Sequence, residues 1–415
     1  MKKYTTAAFL FLAAAYLFLI TLQYLAAYFF SRPSETHLVL AARLDPGNAE
    51  YRYSVGRFEL LAHQSPQNAL PWLQAATRLN PNPARYWLDL AITHQLLGEG
   101  DPEVKALQRA LAAEPHSAGI AWQSANLYLA QGSPEAALRQ YRIVMENDPS
   151  LAPQAIKISW KIRPDIDFLL DTAVPPNAYG AFLEFLCSKH EPAAAAKAWE
   201  KMVALHQPLD RALLFGYVRY LIAQRDAEQA ALVWQQAADL SGLGSYQPSP
   251  ENLLVNGDFS LEILNNGFDW MHQKIRGVAL ALDPSQSHSS SRSLRITFDG
   301  PGIEDAGIRQ SVPVEPKTNY EFSAFYKAQG MDGAGGAKFA VQDLYSQTSF
   351  FLSEDLQDAD FWKKINGSFT TGSDTRLLVV RIARIPAGSP IRGKLWIDGL
   401  KLVPVSAPSG EKEIQ

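Results

Sequence analysis

The sequence predicts a multidomain chain in three parts: a membrane-spanning N-terminal helix, an all-α solenoid of helical hairpins, and an all-β sandwich. Three observations predict it. Residues 4 to 31 hold no charged side chain, four proline-ended tripeptides recur at intervals of 35, 34 and 34 residues, and helical periodicity gives way to short alternating runs near residue 252. With 415 residues and 47% hydrophobic content, the chain has the apolar material for two or three separate cores.

The first part, residues 1–32, reads as a retained signal anchor. Its 28 uncharged positions, at about 1.5 Å rise per residue, exceed the ~30 Å of hydrocarbon that a spanning helix crosses. A cleaved signal peptide has an apolar region of about 7–15 residues followed by a small-residue site, whereas this run ends in "AAYFFSRP". Lys2 and Lys3 precede the helix and only Arg32 follows closely. The excess of positive charge places the N-terminal tail in the cytoplasm. The expectation is a single-pass protein of a cell inner membrane with the bulk of the chain periplasmic.

The second part, residues 45–241, is marked by Pro46, Pro81, Pro115 and Pro149, which close the tripeptides "LDP", "LNP", "AEP" and "NDP". Each interval carries two amphipathic patterns joined by a Gly- or Pro-containing turn, as in "AGIAWQSANLYLAQGSPEAALRQYRIVMENDP". Small and large residues alternate there where two helices would cross: Ala125, Tyr128, Ala137, Tyr141 and Val144. This pattern resembles the tetratricopeptide repeat, and units at 48–81, 82–115 and 116–149 match it. "AAAAKAWEKM" and "AALVWQQAA" predict two more hairpins, at 177–207 and 209–241, with Trp199 and Trp234 as packing residues. Between the three matching units and these two hairpins, the insert 150–176 contains "IRPDIDFLLDTAVPP", whose three prolines forbid one continuous helix. The resemblance implies a groove, lined by the first helix of each hairpin, that binds a protein partner.

Two Gly, two Pro and three Ser within "SGLGSYQPSPEN" predict a linker at 242–251. Nine alternating runs follow, from "VALAL" to "KLWIDGLKLVPV", and predict an antiparallel sandwich over 252–405 with a flexible tail at 406–415. The ordered set "NLLVNGDFS", "SLRITF", "IRQSVPVEPKTNYEFSAFYKA", "FWKKINGSFTT" and "WIDGLKLV" resembles the carbohydrate-binding-module family 4/9 type. That resemblance implies a jelly roll with a polysaccharide as partner, and Trp270 and Trp362 as packing residues.

Sugar recognition uses aromatic faces for C–H surfaces and planar polar groups for hydroxyls. Strand alternation puts Tyr320, Phe322, Ala324 and Tyr326 on one face and Phe325 on the other. By the same logic Trp396 points outward. Phe325 and Trp396, with Arg309 and Arg381, are therefore the expected carbohydrate-binding residues. The family often carries a structural calcium near the two chain ends of the sandwich. The resemblance implies Asp258 and Asp398 as its carboxylate ligands, although Ser260 stands where the family frequently has Glu.

Several function classes are disfavoured. A net charge of −4 shows no basic excess, so nucleic acid is not an expected partner. There is no HExxH, GxSxG, Walker A or CxxC pattern, and the eight His residues are scattered, so no enzyme is expected. The single cysteine, Cys187, lies among Phe182, Leu183, Phe185 and Leu186 and reads as a buried apolar residue. Two readings remain: an envelope protein that binds a protein partner and a polysaccharide, in surface polysaccharide assembly or export, or a protein-protein scaffold whose sandwich only docks.

Overall fold

The structure, a computed structural model, describes residues 2–32 and 34–405; the expected tail at 406–415 lies outside the described residues. One compact unit runs to Glu200 and a second begins at Lys201.

The first unit opens with α1 (Lys2–Phe30), whose apolar side chains are mostly exposed. It is long and apolar enough to cross a membrane, a test that a signal sequence also passes. Next come α2 (Glu35–Leu44), α3 (Ala49–Leu61), α4 (Pro66–Leu79), α5 (Ala84–Leu97), α6 (Gly100–Ala113), α7 (Ala118–Ala130) and α8 (Pro134–Asn147). Their ends follow local chemistry. The side chains of Ser34, Asn48 and Ser117 cap α2, α3 and α7, and Pro66 and Pro134 open α4 and α8. The helices pair as α3/α4, α5/α6 and α7/α8, matching the three proline-delimited units. Leu73, Leu107 and Tyr141 stand at steps of 34 residues and each is fully buried, as are Ala76, Ala110 and Val144 at the same step. Gly56 lets α3 approach α4: a Cβ there would lie 2.7 Å from Leu73 Cγ.

The insert 150–176 forms a 3₁₀ turn at Pro149–Leu151 and two short helices, α9 (Ala152–Ile162) and α10 (Ile166–Thr172). Pro164 separates them, and Asp165 caps α10 by accepting from the Phe168 N–H at 3.1 Å. The helices α11 (Tyr179–Ser188) and α12 (Pro192–Ala204) resume the hairpin rhythm.

The second unit holds α13 (Arg211–Ala223), α14 (Ala227–Ala237) and ten strands. These are β1 (Met271–His272), β2 (Val278–Asp283), β3 (Ser293–Gly302), β4 (Asp305–Pro313), β5 (Asn319–Asp332), β6 (Gly336–Asp343), β7 (Ser349–Leu352), β8 (Ala359–Thr370), β9 (Leu377–Ile385) and β10 (Pro390–Pro404). They form two five-stranded sheets, ordered β1-β4-β9-β6-β7 and β2-β3-β10-β5-β8. The strand pairs within them are antiparallel. The alternation expected on β5 holds: Tyr320, Phe322, Ala324 and Tyr326 enter a core shared with Ile308, Phe339, Val380 and Ile397. "NLLVNGDFS" is not a strand. It is pinned to β10 by Asn252, whose side chain donates to Leu400 O and accepts from Leu402 N–H, and by Gly257, where a Cβ would lie 2.2 Å from Leu400 O.

The helical hairpin α13–α14 packs on the sandwich. The Trp234 indole, 2% exposed, meets Phe268 edge-on and lies against Gly267, a residue in the left-handed region at φ 64°. Tyr345 donates to Ile222 O at 3.0 Å, and Arg225 sits over the Tyr345 ring. The stretch 242–251, expected as a linker, lies within this unit. Trp234 Nε1 donates to Tyr246 O, the Tyr246 hydroxyl donates to Glu262 O, and Leu243 is buried. Arg384 is buried as well, and its guanidinium donates to five main-chain carbonyls, among them Ala334 O at 2.9 Å and Pro390 O at 2.8 Å.

Two outcomes follow. A Cβ on Gly267 would lie 2.1 Å from the Trp234 ring, so Gly267→Ala should cost about 2–4 kcal/mol, combining the left-handed penalty with overpacking. Gly330 has the same left-handed backbone (φ 65°) with nothing within 4 Å, so Gly330→Ala should cost only about 1–2 kcal/mol. Denaturant titration separates the two, and equal costs would contradict the joint. The second outcome concerns Asp269, which is fully buried and accepts from Leu264 N–H at 2.7 Å. Burial pushes its carboxyl up from 3.8 to about 6. The folded state therefore favours the protonated acid. The associated stability is complete below about pH 4 and is lost as pH rises through about 6. Melting curves should show the second unit gaining about 1 kcal/mol between pH 7 and pH 5, with the gain absent in Asp269→Asn.

Candidate functional site

The four expected sugar-binding residues do not converge. Phe325 and Trp396 lie on β5 and β10 of the second sheet, whereas Arg309 and Arg381 lie on β4 and β9 of the first. The core separates the two outer faces. Alternation places Phe325 and Trp396 on the outer side of their sheet, but the segment 284–292 folds across that side. Trp396 is 7% exposed, and its indole N–H donates to Asp283 Oδ2 at 2.9 Å. Hydrogen bonds from Ser285 and Trp396 hold the Asp283 carboxyl down at about 2. The Phe325 ring is half-buried beneath His288, with ring centroids 3.7 Å apart. Trp396 thus offers no free face, and the imidazole takes one face of Phe325. Trp362, expected as a packing residue, is half-buried and packs beside His288 at 5.7 Å on the outer side.

Asp258 and Asp398, the expected calcium ligands, both engage that same segment. Asp398 is fully buried. Its Oδ2 accepts from the His288 and Ser289 N–H groups at 2.6 and 2.9 Å, and its Oδ1 from Gly399 N–H at 2.6 Å. Asp258 accepts from Ser260 through its carboxylate and from the Ser290 hydroxyl through its carbonyl. Three main-chain donors take up most of the acceptor capacity of the Asp398 carboxylate, so its buried charge is satisfied by the chain itself.

A polar concavity lies at the edge of the first sheet. A cavity of about 300 Å³ is walled by β1, the start of β4, the turn at Asn265–Asn266 and Arg219 of α13. Its floor is set by register. Met271 pairs with Arg309, and Arg309 pairs in turn with Arg381 on β9. Gly307 is left-handed, and Gln273 N–H donates to its carbonyl at 2.7 Å, extending the β1 edge. The polar side chains are held by short bonds. Asn265 Oδ1 accepts from His272 N–H at 2.7 Å, and Asn266 Oδ1 accepts from Arg219 at 3.1 Å. Arg381 reaches Asp305 at 3.1 Å and Gln342 at 3.3 Å. A second cavity of about 420 Å³ shares the wall of His272 and Gln273 and is lined beyond it by Ile263, Val278, Leu280 and Leu282. Residues of the turn 265–266 and of β1 escaped the sequence reading because a two-residue strand carries no alternation.

In the first unit, Tyr53 of α3 and Tyr86 of α5 stack with centroids 4.4 Å apart. Tyr53 donates to Asp89 at 2.8 Å and Tyr86 to Glu50 at 2.6 Å. Burial pushes the Tyr86 hydroxyl up to about 12 and raises Asp89 as well. These groups bond successive first helices to each other. Cys187 is half-buried, and burial pushes its thiol up to about 11, which leaves almost no thiolate at neutral pH.

Residues 251–387 match the model of a family described as a carbohydrate binding domain, about a third of the chain. No curated protein matches the chain. Similar solved structures include one described as "CBM4 structure and function", at 16% identity over 37% of this chain and 99% of that one, with a TM-score of 0.29. A crystal structure of MamA matches at 18% identity over 41% of this chain and 85% of that one, TM-score 0.27. The crystal structure of yeast Tom70 matches at 17% over 54% and 43%, TM-score 0.26. None of these assigns a ligand. The chain is an array of helical hairpins followed by a β-sandwich, and the sandwich part of the cavity wall lies within the segment that matches the carbohydrate binding domain.

Proposed function

We propose that this is a non-catalytic, membrane-anchored envelope protein whose sandwich binds a polysaccharide and whose helical hairpins bind a protein partner, in the assembly or export of that polysaccharide. One observation carries the glycan reading: the two cavities that share the β1 wall. Together they offer a continuous run with planar amide and guanidinium groups at one end and aliphatic surface at the other. An oligosaccharide, with hydroxyl edges and C–H faces, suits both ends. The match of residues 251–387 to a carbohydrate binding domain supports the same reading. The anchor rests on α1 and its flanking Lys2 and Lys3, and the protein partner on the solenoid's stacked hairpins.

Affinity electrophoresis of the detergent-solubilised chain through gels containing soluble polysaccharides tests the glycan reading. Retardation by at least one polysaccharide is expected, and Gln273→Ala, at an exposed position of the shared wall, should weaken it by about fivefold through loss of a hydrogen-bonding group. Unretarded migration through neutral and acidic polysaccharides alike would favour the scaffold reading, in which the sandwich only docks. Protease added to spheroplasts should digest the helical and sandwich regions, and full protection would contradict the proposed orientation.

A further inference from the structure

We infer that the ~300 Å³ cavity takes a carboxylate-bearing saccharide, a uronate unit of an acidic polysaccharide, and that Arg219 of the last helical hairpin completes the site. This deepens the proposed glycan reading and rests on it.

Charge around this cavity is unbalanced. Arg309 and Arg381 are directly opposed across β4 and β9, and like charges in that position destabilise a sheet. Asp305 answers one of them, Arg381, at 3.1 Å. Arg309 is exposed and makes no ion pair among the described residues. Arg219 adds a third guanidinium from α13, bonded among the described residues only to the neutral Asn266 amide. The cavity wall thus carries two guanidiniums, Arg219 and Arg309, with no ion pair among the described residues, while its one carboxylate, Asp305, is taken by Arg381. The hydrogen-bonding inventory points the same way. The oxygens of Asn265 and Asn266 are occupied by His272 N–H and Arg219, which leaves their NH₂ groups as donors. A surface rich in free donors recognises an acceptor-rich ligand, and a guanidinium binds a carboxylate through two parallel N–H···O bonds.

The assignment makes the helical hairpin part of the recognition site. A sandwich without α13 would keep Arg309 but lose the cation that faces it from the helix.

Titration calorimetry of the detergent-solubilised full chain with polygalacturonate oligomers, a sulfated glycan and a neutral β-glucan tests this. At low salt the polygalacturonate should bind about tenfold or more tightly than the neutral glucan, and the preference should shrink as salt is raised. Arg309→Gln and Arg219→Gln should each lower polygalacturonate affinity by about tenfold. Arg309→Gln should not lower the melting temperature, because it relieves a like-charge pair. Unchanged polygalacturonate binding in both variants overturns the inference, as does a wild-type chain that prefers the neutral or the sulfated glycan. In either of those results the glycan reading survives and only its chemical class falls. Absence of binding to all three overturns both.

Discussion

The Trp234 indole seated on Gly267 is the contact on which the arrangement of the second unit depends. A side chain at 267 has no room, and the Trp234 ring also packs against Phe215 and Phe268. Burying an indole of this kind stabilises by several kcal/mol. It also fixes where α13 lies relative to the first sheet. Because α13 is held there, Arg219 faces the β1–β4 edge and a flat sheet surface becomes a cavity. Tyr345 reinforces the placement by reaching Ile222 O from the β6–β7 turn.

The second sheet has the opposite fate. Asp398 gives both oxygens to main-chain N–H groups, two of them from the segment 284–292. That segment is thereby drawn across the sheet, placing His288 on Phe325. Buried carboxylates are costly unless hydrogen-bonded, so the three donors both satisfy the charge and close the face. One carboxylate therefore decides which side of the sandwich stays open.

Much of the fold was legible locally. The 34-residue step returns in Leu73, Leu107 and Tyr141, because a repeat reuses one packing position. The inward set on β5 was legible because side chains alternate along a strand. What was not legible is non-local. Alternation gives the side of a sheet on which Phe325 lies, but not the sheet to which β4 and β9 belong, nor the segment that folds over that side. Arg309 and Arg381 pair with each other across more than seventy residues of chain, and no spacing rule links them to Phe325. The packing partner of Trp362 was hidden for the same reason: His288 comes from a turn between two other strands of the sheet.

The central claim is that ligand enters the cavity between α13 and the β1–β4 edge. Hydrogen–deuterium exchange of the full chain with and without polygalacturonate oligomers tests it most directly. The account predicts slowed exchange in 265–273, 305–309 and α13, with 284–292 and 360–366 unchanged. Protection confined to 284–292 and 360–366 would place the ligand on the second sheet and contradict it.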